Sequence, residues 1–295
     1  MTVEAEASAN VTLEVVHSTR YRYQAAVTHS RHNFRLRPLT DRQQELLHFD
    51  LEVWPQGERR DFDDVFGNAV TRVEIESPYD EMTIKSRSVV CLRPETRVPP
   101  PRNRATIPVA WMPWDREMMQ PYLLPPELPE GELQELFDYA MSFVALREHD
   151  LAETLEALNL AISQDWEYTP GHTTLETTPY EVFTSRRGVC QDFANLLICL
   201  ARLLGVPARY RTGYIYTGAS YENKMQSEAS HAWAELYLPR HGWVGYDPTN
   251  GVQSHQDHVR VACGRNYRDT SPTTGTIFRG GGGEILDFDV EVSRL

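Results

Sequence analysis

Apolar and polar residues alternate with period two along roughly the first hundred positions of the chain. The runs Val11-Thr-Leu-Glu-Val-Val-His17, Tyr21-Arg-Tyr23, Phe34-Arg-Leu-Arg-Pro38 and His48-Phe-Asp-Leu-Glu-Val-Trp54 all carry the pattern. Successive side chains of a strand point to opposite faces, so this alternation predicts half-buried strands. Asp63 to Val73 reads as a hairpin turning at Gly67-Asn68, and Thr83 to Cys91 as a further strand. Short strands about ten residues apart predict a small antiparallel β-sandwich over residues 10–110. Prolines then accumulate, from Pro99, Pro100 and Pro101 through Pro108, Pro113 and Pro121 to Pro125, Pro126 and Pro129. Proline removes backbone donors and blocks helices, so residues 111–130 are expected to be a surface linker.

Beyond the linker the period changes. Glu132 to Ala145 and Leu151 to Ser163 place apolar residues three and four apart, which predicts helices. Thr178-Pro179-Tyr180-Glu181 has a capping hydroxyl, proline at the first helical position and glutamate at the third, a helix start. After Cys190, the residues Phe193, Leu196, Leu197, Ile198, Leu200 and Leu204 make a helix apolar on most of its surface, hence buried, which Gly205 and Pro207 stop. Strands follow at Ala208 to Tyr216, Ser230 to Leu238 and Trp243 to Asp247, and Leu286 to Val292 alternates as a half-buried strand. Helices followed by an antiparallel sheet define an α+β domain, expected over 131–295.

The chain is 295 residues long and 41% hydrophobic, enough for two ordinary domains with real cores. No apolar run approaches the roughly 18 residues of a membrane helix. Met1 to Asn10 lacks the basic start and apolar stretch of a secretion signal, so the expectation is a loose tail on a cytoplasmic protein. A net charge of −13 argues against a nucleic-acid surface, which needs clustered Lys and Arg. It favours solubility and, secondarily, cationic or amine-bearing partners. The four cysteines, Cys91, Cys190, Cys199 and Cys263, are scattered without a CxxC pair. That pattern suits neither a thiolate zinc site nor a disulfide scaffold. His29 and His32 are the nearest approach to a ligand pair, so no metal and no cofactor is expected.

Three segments carry chemistry. Gly188-Val189-Cys190-Gln191-Asp192 puts a thiol where a turn becomes a helix; Ser230-His231-Ala232-Trp233 puts an imidazole on a strand; Trp243-Val-Gly-Tyr-Asp247-Pro248 puts a carboxylate at the end of the next. A helix N-terminus favours a thiolate through its dipole and unpaired amides, and the same amides offer an oxyanion pocket, with the Cys190 N–H as first donor. His231 is suited to take and return the proton. If Tyr237 pairs with Trp243, Asp247 falls opposite Trp233 and diagonal to His231, within side-chain reach. For the second oxyanion donor Gln164, Trp166 and Tyr168 stand just upstream, with Tyr168 preferred; Gln191 and Trp233 complete the expected cleft.

Taken with Gly205-Val-Pro-Ala-Arg-Tyr210 and Gly264-Arg-Asn-Tyr-Arg-Asp269, these segments resemble the bacterial transglutaminase-like superfamily. The resemblance covers roughly 130–292. It implies a papain-like core in which Cys190, His231 and Asp247 form the catalytic triad, with the Gly264–Asp269 segment and Ser271-Pro272 bordering the cleft. The first 110 residues, with Asp64-Val-Phe-Gly67-Asn68, are similar to the N-terminal β domain of many bacterial members. Asn195 stands where many relatives have histidine, and Asn266 where an acidic residue is common. The expected activity is cleavage of an amide or peptide bond through a thioester, water being always at hand. The alternatives are transfer of the acyl group to an amine, and a largely non-enzymatic assembly module.

Overall fold

The computed structural model describes residues 9–94, 104–218 and 230–295. Pro99, Pro100 and Pro101, like most of the expected N-terminal tail, lie outside the described residues. The alternation at the start of the chain yields one strand of 24 residues, β1 (Val11–Phe34), in place of separate short ones. It is followed by β2 (Gln44–Trp54), β3 (Glu58–Asp63), β4 (Ala69–Ile75) and β5 (Tyr79–Leu92). The hairpin at Gly67-Asn68 forms, with Gly67 in the left-handed region at φ 77°. The strand order is β2-β5-β1-β4-β3. The expected sandwich therefore takes the form of one curled antiparallel sheet, because β1 is long enough to serve both ends of it.

Two further strands complete this sheet from the other end of the chain. β13 (Thr273–Gly280) pairs with the second half of β1, and β14 (Glu284–Arg294) with the first half. The alternating tail is thus a strand, but it belongs to the N-terminal sheet. Its apolar stripe is split: Val290 is buried, whereas Leu286 and Phe288 are 46% and 57% exposed. Alternation alone cannot distinguish a face turned to a core from one turned to a cleft.

Within the passage expected to be a linker, α1 (Pro113–Leu123) is helical. Pro113 occupies the first turn, where its missing N–H costs nothing, and Pro121 falls in the last turn. Then come α2 (Glu130–Leu146), α3 (Leu151–Asp165), β6 (Glu167–Tyr168), α4 (Pro179–Ser185), β7 (Arg187–Gly188) and α5 (Cys190–Leu203). Asp150 caps α3 and Thr178 with Glu181 forms the capping box of α4. Helix α5 buries Phe193, Leu196, Leu197 and Leu200 at 1% exposure or less, each contributing roughly 1.5–3 kcal/mol. It packs on a sheet of β8 (Ala208–Ile215), β9 (His231–Leu238), β10 (Gly242–Asp247), β11 (Val252–Gln253) and β12 (His258–Gly264), ordered β11-β10-β9-β8-β12. A short α6 (Tyr267–Thr270) leads back to β13. Among the described residues no helix is long and apolar enough to cross a membrane.

Two buried amide side chains join the sheets. The free edge of β12 receives Gln44, whose Nε2 donates to Arg260 O and whose Oε1 accepts from Arg260 N, both at 2.8 Å. Asn68 does the same for Cys263, at 2.8 and 2.7 Å. Each side chain imitates a neighbouring strand, satisfying backbone groups that the edge would otherwise leave open. Leu13, Val15 and Val290 of the first sheet share a core with Tyr214 and Val259 of the second. The cleft between the sheets is held by this junction.

Candidate active site

Cys190 is the first residue of α5, and the hydrophobic burial of that helix fixes its position. The preceding turn is tight: a Cβ on Gly188 would come within 2.8 Å of the Asp192 side chain, so glycine is needed by close approach. Asp192 accepts from Val189 N at 2.8 Å and from the Thr173 hydroxyl, closing the helix start. Burial raises its carboxyl above the ordinary value, and these hydrogen bonds oppose the rise. The backbone N–H groups of Cys190 and Gln191 stand at the first two helical positions, where no intrahelical acceptor exists.

Strands β9 and β10 pair with Trp243 opposite Tyr237, the register expected from the sequence. That register carries Asp247 to His231: Nε2 donates to Oδ2 at 2.8 Å, with both side chains fully buried. The other ring nitrogen, Nδ1, is buried without a formed hydrogen bond, and besides Asp247 the group acting on the ring is the Cys190 thiol. Burial works against a charged imidazole here. The Asp247 carboxylate and its hydrogen bond, then Cys190, overcome it and hold the ring at about 10. Asp247 correspondingly lies well below the usual carboxylate range, burial being outweighed by His231 and His258.

Sequence reasoning missed His258. On β12, it lies 3.1 Å from the same Asp247 Oδ2 through Nε2, and its Nδ1 accepts the His255 N–H at 3.3 Å. That acceptor role assigns the proton to Nε2, making His258 a donor to Asp247; burial, opposed by Asp247, lowers its pKa. Asn250 Nδ2 donates to Oδ2 at 2.6 Å, and Thr249 N and Asn250 N donate to Oδ1 at 3.0 and 3.3 Å. Five donors therefore surround one carboxylate. The sequence signal for it is a histidine at the start of a short, mostly apolar run, Val259-Arg-Val-Ala-Cys263.

The ligand atoms of His231, Asp247 and His258 lie within 4.8 Å of one another. Because both imidazoles donate to the carboxylate, a cation could enter only after two N–H protons left. His29 and His32 do not meet. Three apart on a strand, they face opposite ways; His32 is buried against Tyr79 and His29 bonds Glu74, which also holds Arg31.

The cleft in front of Cys190 has a volume of about 550 Å³, and Tyr168 and Gln191 line it as expected. Tyr168 is set there by parallel pairing with Gly188; burial, then the Cys190 and Asp192 charges, raises its phenol. Trp233, expected on the cleft, is instead fully buried under the site, stacked on the His231 ring at 5.9 Å and edge-on to His258 at 5.2 Å. It shares the His231 face of the strand, but it lies deeper in the core. Trp166 is likewise buried, bonding Val182 O. Tyr267, Ser271 and Pro272 border the cleft, and Asn266 caps α6. The opposite wall is unforeseen: His17, Thr19 and Tyr21 of β1 with Leu286 and Phe288 of β14.

Comparison with known proteins gives two family matches. Residues 13–91 match the bacterial transglutaminase-like N-terminal region, and residues 138–248 the transglutaminase-like superfamily. An uncharacterized protein of Mycobacterium tuberculosis is 33% identical over 293 residues, covering 94% of this chain and 91% of the relative. A protein-glutamine gamma-glutamyltransferase of Pseudomonas aeruginosa is 35% identical over 75 residues, 24% of this chain and 11% of that protein. The crystal structure of a candidate cysteine protease from Cytophaga hutchinsonii superposes with a TM-score of 0.77 at 24% identity, covering 98% of this chain and 92% of the other.

Proposed function

Because the chain belongs to the transglutaminase-like superfamily, we propose that it cleaves an amide or peptide bond through a thioester on Cys190. One observation carries the reading. His231 gives Nε2–H to Asp247 at 2.8 Å in a fully buried pair, and this leaves Nδ1 to serve the thiol at the start of α5. The charged ring stabilises a thiolate beside it. The sulfur attacks the carbonyl carbon, and the developing oxyanion meets the free amides of Cys190 and Gln191. As the C–N bond breaks, His231 Nδ1 gives its proton to the departing amine, leaving the acyl group on sulfur. Water then attacks the thioester and yields its proton to Nδ1. The C–S bond breaks, the carboxylic acid departs and the thiolate is restored.

Cys190 is half-buried at the edge of an open cleft, which gives water access to the thioester. Transfer to an amine is the second reading, favoured by the partial likeness to a protein that bears the gamma-glutamyltransferase name. Product masses separate the two. Peptide amides incubated with and without an added primary amine are expected to give the free acid in both cases. Amine adducts without any acid product would overturn hydrolysis.

A further inference from the structure

Two imidazoles donate to Asp247 Oδ2, and one indole touches both. Trp233 is stacked on His231 with ring centroids 5.9 Å apart and planes 30° from parallel, both side chains being fully buried. The flanking strands leave room for it. Gly213 of β8 stands opposite His231, and Gly245 of β10 stands opposite Glu235. A Cβ on Gly213 would come within 2.7 Å of the indole, and one on Gly245 within 3.3 Å of its Nε1. The indole therefore lies in a slot that two glycines open. Glu235, the next residue on the same face of β9, closes the slot from behind. Its carboxylate accepts from Arg211 Nε and Nη2 at 2.9 and 2.8 Å and from Arg209 Nε at 2.6 Å. Arg211 stands directly opposite Trp233 and is itself buried. These neighbours lock the indole against the His231 ring.

Packing alone does not account for an indole here. Its Nε1–H is buried without an acceptor among the described residues, a cost to stability that a phenyl ring would avoid. Of the aromatic side chains, however, the indole has the face that best attracts a cation within about 6 Å, most of all where water is excluded. We propose that Trp233 is a positioning residue for the Cys190–His231 pair: its face stabilises the imidazolium and fixes the ring plane that aims Nε2 at Asp247 and Nδ1 at the thiol. The inference rests on the reading of Cys190 as nucleophile and His231 as its charged partner. The titratable groups acting on the ring are Asp247 of β10, Cys190 of α5 and His258 of β12; the last opposes its charge. Tyr168 of β6 acts on Cys190 and Asp247. None of these supplies the contact on the ring face.

The test follows the His231 ring by proton–nitrogen NMR of the full chain labelled with 15N-histidine, from about pH 6 to 11. Wild type is compared with Trp233→Phe, which keeps a weaker ring face, and Trp233→Leu, which has none; His231→Gln identifies the signals. The His231 titration should move down by about one pH unit in Trp233→Leu, a tenfold easier loss of the proton, and by about half as much in Trp233→Phe. The alkaline limb of kcat/KM on a peptide amide should shift equally, with KM at pH 7 unchanged. A merely loosened site would move the other way, because water reaching the ring favours its charge. The downfield Nε2 proton shared with Asp247 should persist in both variants. An equal titration in all three proteins, or a rise in Trp233→Leu, overturns the role of the indole and leaves the chemistry standing. A lowered titration with loss of the downfield proton in both variants assigns the effect to a displaced ring and overturns the charge role as well. Where Trp233→Leu does not fold, Trp233→Phe carries the same comparison. The expected order of titrations without turnover of any peptide amide keeps the indole's role and overturns the proposed function. A neutral His231 in wild type at pH 7 overturns both.

Discussion

Replacing Asp247 by asparagine removes one charge and turns one acceptor into a donor, and the surroundings make both effects large. Oδ1 accepts from two backbone N–H groups, and Oδ2 accepts from His231, His258 and Asn250. An amide NH₂ in either position would aim its hydrogens at other donors, leaving buried groups unpaired at about 1–3 kcal/mol. Holding His231 at about 10 in place of 6.5 corresponds to at most about 5 kcal/mol of preference for the charged ring. Without the carboxylate, only the smaller effect of Cys190 opposes burial, and the balance moves towards the neutral ring. Cys190 then loses the charged ring beside it, so alkylation by iodoacetamide should slow about 30-fold. Turnover should fall further, by about 10²–10⁴, because the proton donor is also lost. The assay is the rate of Cys190 alkylation between pH 5 and 9, with circular dichroism to verify folding. At pH 7 wild type should be alkylated fast and Asp247→Asn about 30-fold more slowly. A folded Asp247→Asn that alkylates at the wild-type rate at pH 7 would refute the role assigned to the pair.

His258→Leu should keep the His231–Asp247 bond but remove one donor to a charged oxygen, costing about 1.5–3 kcal/mol of stability by urea unfolding and about tenfold in turnover; wild-type values on both counts would remove His258 from the site. Gly213 lies opposite His231, and a Cβ there would sit 1.9 Å from Val259 O and 2.7 Å from the Trp233 ring. Gly213→Ala should therefore cost about 1–3 kcal/mol or more and lower turnover through a displaced His231, as checked by melting and kinetics together. The histidines also set the pH dependence of stability. His17 and His32 are lowered by burial to about 4, so they bind protons more readily unfolded, and stability falls from pH 6.5 down to about 4. His231 is raised to about 10; its contribution is complete below pH 6.5 and is lost as pH rises towards 10. Melting temperature should accordingly peak near pH 6.5, and His17→Gln with His32→Gln should flatten the acid limb; an unaltered acid limb in that double variant would contradict the assignment.

Much of the half that carries the candidate site was legible in the sequence because its signals are local. Helix α5 begins at Cys190 as its apolar run requires, Thr178 and Glu181 form their capping box, and a short connection at Arg240-His241 leaves one register for Tyr237 and Trp243. What escaped depends on contacts far apart in the chain. The pairing of β14 with β1 joins the two ends of the sequence, and an alternating strand has no preference for either sheet. Leu286 and Phe288 therefore read as core positions although they face the cleft. His258 enters the site only because β12 lies beside β8. Trp233 shares the face of its strand that the alternation predicts but lies deeper than the cleft, since parity gives a side and not a distance from solvent. Helix α1 forms among prolines because Pro113 opens it where no N–H is needed, while Pro121 inside the last turn costs it one hydrogen bond.

The central claim is that Cys190 alone among the thiols is an activated nucleophile. It is tested most directly by limiting iodoacetamide at pH 7, followed by peptide mass spectrometry resolving the half-exposed Cys91, half-exposed Cys190 and buried Cys263. Cys91 and Cys190 are both partly exposed, so the loss of the rate difference in a folded His231→Ala reports chemistry rather than access. The account predicts that Cys190 is modified at least about tenfold faster than Cys91, and that His231→Ala abolishes the advantage. Equal rates at the two cysteines, or an advantage that survives in His231→Ala, would contradict it.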